Sequence, residues 1–345
     1  MPRLYIATNG LSVWTSDDLG ENLIRTQTDA GMYSGRQIWG LAAHPTGSGE
    51  VLVGTDDGIY GYDPQSQKWR HRAGPLDAAQ MVTAIAYSPH DPSIVLAGVQ
   101  PAALWRSEDG GWTWHDLRMP MRESVALRFH GTDANNNARV TMEPTGADDP
   151  TKHWTRVCHI VWDRDNPMKA CACVEIDDAW LSEDGGRSFA RTNQGLTIGD
   201  VHGMAIVREG GQRKLFAATA LGLHVSRDDG ASWQMTPIDS PWQYTRSIVE
   251  RPDRTGVMYL TNGSGSPGWQ GRLYRSQDYG ETWVDVRLPG SVQSSMYFLA
   301  VHPSDPAIAF AAAALGQLYR TTDGGQSWHE LPHRLGEIRS LCVVP

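Results

Sequence analysis

The sequence predicts an all-β fold, a seven-bladed β-propeller whose C-terminal strand completes the N-terminal blade. Three observations predict it. A nine-residue turn motif recurs along the 345 residues, its copies stand one blade apart, and the two ends of the chain are complementary fragments of a single blade. A repeat of about 40 to 50 residues is the length of one four-stranded propeller blade.

The clearest copy runs from Arg106 to Trp114, with Ser107, Asp109, Gly111, Thr113 and Trp114 in fixed places. Asp323, Gly325, Ser327 and Trp328 repeat it, as do Ser276, Asp278, Gly280, Thr282 and Trp283. Ser226, Asp228, Gly230, Ser232 and Trp233 make a further copy, and Ser182, Asp184, Gly186, Ser188 and Phe189 another with Phe for Trp. Two worn copies complete the set: Ser16, Asp18, Gly20, Asn22 and Leu23, then Tyr62 to Trp69, where only Ser66 and Trp69 match. Each copy predicts a strand ending at Ser, a tight turn and a returning strand. Asp accepts turn amides, Gly supplies backbone angles other residues resist, and the aromatic is the buried anchor.

These copies resemble the Asp box, or BNR repeat, of sialidases, xyloglucanases, sortilin-like receptors and assembly factors of the Ycf48 type. The resemblance implies a propeller, with the boxes structural and not catalytic. Sialidases use an arginine triad, a Tyr/Glu pair and an acid, but this chain has seven repeats against six blades and lacks their early Arg-Ile-Pro signature. Seven repeats are more similar to Ycf48-type factors, or to one half of a two-propeller xyloglucanase.

The copies start at positions 16, 62, 107, 182, 226, 276 and 321, so the steps are 46, 45, 75, 44, 50 and 45 residues. Five steps fit one blade each. The fixed repeat points to a single domain over residues 1–345, with an insertion of about 119–155 in the long step as a candidate lid. Leu4 to Thr8 reads as a second strand with no first strand before it. Ile338 to Val344 reads as a first strand with nothing after it, so pairing the two closes the ring and removes the exposed edges.

Formal net charge is −9 and no Lys/Arg run stands out, which argues against a nucleic-acid partner. The N-terminal residues enter a strand at once, with no signal-peptide pattern, and no apolar run is long enough for a membrane span. A cytoplasmic location is expected. Cys158, Cys171, Cys173 and Cys342 form no CxxC pair and are expected as free thiols. His44 and His302 fall at first-to-second strand turns, and His159 is one residue out of phase with His202. Neither a metal nor a cofactor is expected.

Aligning the innermost strands gives equivalent positions Trp39, Thr83, Cys158, His202, Arg246, Tyr297 and Arg339. Two residues earlier, on the same face of a strand, stand Gln37, Met81, Arg156, Asp200, Tyr244, Ser295 and Glu337. All these strands start at one end of the axis, so the residues ring one mouth of the channel. Loops after the second strands add Asp56, Asp57, Gln100, Glu175, Asp177, Asp178, Asn262 and Trp269 to the same mouth.

Arginine forks on several blades can converge on one carboxylate or phosphate. Arg156, Arg246 and Arg339 are therefore candidate binders of a small anionic or carbohydrate ligand, with Tyr297, Trp39, Gln37, Trp154 and His153 around them. Asp200, His202, Tyr244 and Glu337 are candidate acid, base and nucleophile. Two functions stay open: a hydrolase or lyase acting on an anionic sugar or similar small acid, and a non-catalytic, Ycf48-like scaffold docking a protein on the rim.

Overall fold

In the turn at residues 107–114, the Ser107 hydroxyl donates to Asp109 Oδ1 (2.8 Å) and accepts the Gly111 amide (2.8 Å). The Asp109 carboxylate accepts the amide (2.8 Å) and hydroxyl (2.7 Å) of Thr113. A computed structural model, describing residues 2–72, 74–76, 81–132, 138–145, 149 and 152–345, repeats this wiring at Asp184, Asp228, Asp278 and Asp323. The worn copy at Asp18 keeps it too, with Asn22 as the second donor. At 62–69 the wiring differs, since Asp63 caps Ser66 instead. Trp69, Trp114, Phe189, Trp233, Trp283 and Trp328 are all buried. Gly280 lies at φ +82°, and a Cβ there would stand 2.5 Å from the Phe216 ring of the preceding sheet, so space and backbone angle both require glycine.

Among the described residues seven four-stranded antiparallel sheets form, over residues 3–25 with 338–344, 38–71, 81–116, 156–192, 201–236, 244–285 and 296–334. Among the described residues there is no α-helix, only a 3-10 turn at Thr28–Ala30. Strand Ile338–Val344 pairs antiparallel with Arg3–Thr8, setting Leu4 opposite Val343 and Ile6 opposite Leu341. It also lies against the innermost strands Ile38–Ala43 and Met296–Val301. The core sits between sheets: Phe216 and Val225 of one pack with Leu260, Tyr274 and Trp283 of the next.

Every innermost strand breaks its ladder once. Ile38 faces Thr55 and Gly40 faces Gly54, which leaves Trp39 without a partner. Thr83, Cys158, His202 and Tyr297 are left out in the same way, Arg339 is skipped between Ile338 and Ser340, and Arg246 with Ser247 spans a single opposite residue. These β-bulges fall on the seven aligned positions. A bulge turns an extra side chain out of the ladder and breaks the strict alternation of faces.

The insertion forms a sheet of its own. Ser124–Thr132 forms a hairpin with Ala138–Pro144, and Lys152–Trp154 pairs on the other edge of Ser124–Thr132, making a separate three-stranded sheet. Residues 133–137, 146–148 and 150–151 of the insertion lie outside the described residues.

Deleting residues 337–345 removes the inner partner of Arg3–Thr8 and uncovers Leu4 and Ile6. The truncated chain should lose its cooperative thermal transition. Melting within about 3 °C of the full chain would show that the pairing is dispensable.

Candidate functional site

The bulges aim one side chain from each innermost strand at a central cavity of ≈ 210 Å³. Trp39, Thr83, Cys158, His202, Arg246, Tyr297 and Arg339 all line it. Three of them stitch neighbouring sheets together by donating to a main-chain carbonyl beside the next bulge. Thr83 Oγ1 donates to Val157 O (2.6 Å), Cys158 Sγ to Val201 O (3.1 Å) and His202 Nδ1 to Thr245 O (2.7 Å). The last bond fixes the tautomer. With a proton committed to Nδ1, the other ring nitrogen of His202 faces Asp200 Oδ1 at 3.3 Å and Glu175 Oε1 at 3.9 Å.

Glu175, at the end of Ala170–Glu175, faces Arg156 directly across the ladder and pairs with its guanidinium. Arg246 adds a second positive group at 3.7 Å. Burial alone would raise the Glu175 carboxyl, but Arg156, Arg246 and His202 overcome it and lower the pKa to about 2. Asp200 Oδ1 is buried and has no hydrogen-bond partner among the described residues. Glu175, Asp200 and His202 bring their ligand atoms within 4.8 Å of one another. The two guanidiniums already beside Glu175 supply the positive charge that a cation would bring.

The arginines are not free forks waiting for an anion, as the sequence suggests. Arg156 and Arg246 share Glu175, and Arg339 pairs with Glu337 at 2.5 Å. Arg339 also lies over the Trp39 ring at 3.8 Å and Arg246 over the Tyr297 ring at 4.3 Å. Glu337 is further occupied by Asn9, which donates to its Oε2 at 2.7 Å, and so is no free acid or base. The nucleophile role expected of Tyr244 fails for a similar reason. Its hydroxyl accepts from Arg246 Nη1 at 2.8 Å, no carboxylate among the described residues is bonded to it, and burial pushes its phenol well up, away from phenolate.

Gln37, Met81, Arg156, Asp200, Tyr244, Ser295 and Glu337 all stand outside the cavity lining, as does Glu175, and Ser295 is buried under the Gly265 loop, to whose carbonyl its hydroxyl donates at 2.6 Å. His153 and Trp154 are exposed on the inserted sheet and do not line the cavity either; they belong to a paired strand, and Lys152 covers the Trp154 ring at 4.1 Å. His159, expected to face away, lines the cavity because the Cys158 bulge resets the alternation. Its Nδ1 accepts the Met204 amide at 3.3 Å, and burial lowers its pKa to about 4. His44 and His302 are turn residues; His302 Nδ1 accepts the Ser304 and Asp305 amides. The four cysteines are free, and burial raises the Cys158 thiol to about 12, which leaves it a poor nucleophile. Glu175 is the central residue that the aligned strand starts do not reveal. Its register opposite Arg156 is the signal that finds it.

No family model matches the chain. It is 22% identical over 341 residues to a xyloglucanase of Hypocrea jecorina, covering 84% of this chain and 38% of that protein. It is 24% identical over 259 residues to a probable oligoxyloglucan-reducing end-specific xyloglucanase of Neosartorya fischeri, covering 69% and 29%. The chain thus spans less than two-fifths of the length of the relatives it matches. Among solved structures, a Niastella koreensis GH74 enzyme aligns with TM-score 0.61 at 17% identity, covering 85% of this chain and 45% of that one. YCF48 bound to D1 peptide aligns with TM-score 0.52 at 13% identity, covering 85% and 81%. The chain resembles these xyloglucanase and Ycf48 propellers in fold.

Glu175→Gln leaves Arg156 and Arg246 with no countercharge, so about 3–5 kcal/mol of stability should be lost at neutral pH. Because the folded carboxyl is depressed, this difference is full above the unfolded value near about 4.3 and fades as pH falls through about 2. Denaturant melts of both proteins at pH 7, 4 and 2 check it, and a gap that does not narrow at low pH would exclude the ion cluster as its source.

Proposed function

We propose that the channel mouth binds a neutral carbohydrate and hydrolyses a glycosidic bond, with Asp200 as acid and Glu175 as the ionised partner. The carrying observation is the carboxylate pair, whose oxygens lie within 4.8 Å around His202, one clamped by guanidiniums and the other left with a buried free oxygen. Retaining glycoside hydrolases hold their two carboxyls about 5–5.5 Å apart and inverting ones about 6.5–9.5 Å apart, so a pair this close falls on the retaining side. Asp200 gives a proton to the leaving oxygen while Glu175 faces the positive charge growing at the anomeric carbon. Water then adds to the anomeric carbon, its proton returns to Asp200, and His202 Nε2, 3.3 Å from Asp200 Oδ1, orients that carboxyl. The names of the two relatives support carbohydrate hydrolysis, and their xyloglucan is a neutral polymer.

Charge counting favours a neutral ligand over the anionic one expected from the arginines alone. Arg156 and Arg246 are both paired with Glu175 and Arg339 with Glu337, so no guanidinium is left without a carboxylate beside it. At ≈ 210 Å³ the cavity is smaller than the roughly 300–1,000 Å³ of most ligand pockets, so it suits one sugar ring at a chain end, against Trp39 and Tyr297, with His202 in its lining and Glu175 and Asp200 beside His202 outside that lining. The same reading takes residues 1–345 as one seven-bladed ring closed by Ile338–Val344. A protein-docking scaffold is the second reading, favoured by Trp269, 68% exposed on the loop whose Ser266 accepts the Tyr297 hydroxyl.

Asp200→Asn should lower release of reducing ends from neutral oligosaccharides, xyloglucan fragments first, by about 10²–10⁴-fold while the Tm barely moves. Proton NMR of the first product should show the anomer retained. A wild-type protein that neither cleaves nor is stabilised by any neutral glycan in such a panel would sink the enzyme reading. Loss of a captured protein partner in Trp269→Ala would then favour the scaffold.

A further inference from the structure

Three residues of the channel-mouth cluster sit where their strands meet the inserted sheet. Glu175 ends its strand and is followed by a tight turn, Ile176, Asp177 and Asp178. Ile176 and Asp178 hold φ +66° and +73°. A β-branched residue resists that region, so the turn persists only because its surroundings fix it. Asp177 is the fixing point. It is fully buried; its carboxylate accepts the Arg122 amide at 3.0 Å and lies 3.5 Å from Arg122 Nε and 3.4 Å from Arg191, while its carbonyl accepts Trp180 Nε1 at 2.9 Å.

Arg122 belongs to the stem of the insertion. Its carbonyl accepts the Thr155 hydroxyl at the other end of the stem, and Thr155 leads straight into Arg156. The third contact is at Asp200. Asp178 N donates to Gly199 O at 2.8 Å, and a Cβ on Gly199 would fall 2.2 Å from Asp178 Oδ1 and 2.6 Å from Met142 Cε of the inserted hairpin. Gly199 immediately precedes Asp200, so the insertion is braced beside Glu175, Asp200 and Arg156 at once.

We infer that the insertion is the positioning element of this site, acting through Asp177 and the 176–178 turn to set the distance between Glu175 and Asp200. Elsewhere the steps between repeats leave no room for such a sheet, and this one stands at the sheet that supplies Glu175. Asp177 and Arg122 are positioning residues, since they act on the Glu175, Asp200 and His202 cluster through the turn and the stem and are not members of it. Their role in turnover rests on the hydrolytic reading, but their hold on the carboxylates does not.

The test is the full chain carrying Arg122→Ala and Met142→Ala, two changes outside the blade cores, with Met142→Ala alone as the milder variant. Followed by hydrogen exchange, the Asp178 amide should exchange about tenfold faster, while the Gly111 and Gly280 amides of distant boxes keep their rates. The NMR ring signals of His202 should move with the displaced carboxylates. If neutral glycans are cleaved, kcat should fall with KM little changed. Unchanged Asp178 exchange and His202 signals in the double variant would overturn the inference, as would loss of protection spread over all seven sheets. Altered exchange and ring signals in a protein that cleaves nothing would sustain it while sinking the enzyme reading.

Discussion

The β-bulge in each innermost strand is the constraint on which the channel depends. An unbroken ladder would direct alternate residues to the faces between sheets, where apolar contacts hold neighbours together, and little would point along the axis. One extra residue per strand turns Trp39, Thr83, Cys158, His202, Arg246, Tyr297 and Arg339 toward the centre. It also leaves ladder groups to be satisfied elsewhere, which the Thr83, Cys158 and His202 bonds to neighbouring carbonyls accomplish. The same geometry thus knits the sheets and builds the site.

Placing so many charges near one axis would be costly were they unpaired. Arg246 is 8% exposed, and an isolated guanidinium at that depth would lose far more solvation than a single neutral hydrogen bond returns. The cluster solves this by balance: each guanidinium has a carboxylate, and Trp39 and Tyr297 receive the flat faces of Arg339 and Arg246. What remains unmatched is small and local. Asp200 Oδ1 and the ring nitrogen of His202 face each other without a well-formed hydrogen bond, and Arg156 Nε, Arg339 Nε and Trp39 Nε1 are the other buried polar atoms of the ring left without a hydrogen-bond partner among the described residues.

The seven aspartate turns belong to a different economy. Their carboxylates accept local amides and hydroxyls at the surface, and in Asp228 the Ser232 hydroxyl and amide are the main reason its pKa falls to about 2. Such low values mark tight caps here and not catalytic acids. The strained turn after Glu175 is the counterpart at the other end of the strands: it is held by tertiary contacts to an inserted sheet, where the boxes hold themselves.

The sequence alone determined the repeat, its anchors and the aligned ring. Those features are local: a turn that needs Ser, Asp, Gly and an aromatic in fixed order is wired within nine residues, and the apolar runs flanking it align the strands. Even Trp39 and His202, far apart in the chain, could be placed together because each occupies the same point of its own repeat. Only the tertiary structure decided what the ring is made to do. Whether Arg156 faces a ligand or Glu175 depends on a register between two strands, whether Tyr244 is a nucleophile depends on Arg246 beside its hydroxyl, and whether His153 and Trp154 overhang the channel depends on pairing inside the insertion. The reason is physical: the boxes draw their energy from neighbours in sequence, whereas the charge state and reach of a channel side chain are set by groups on other sheets.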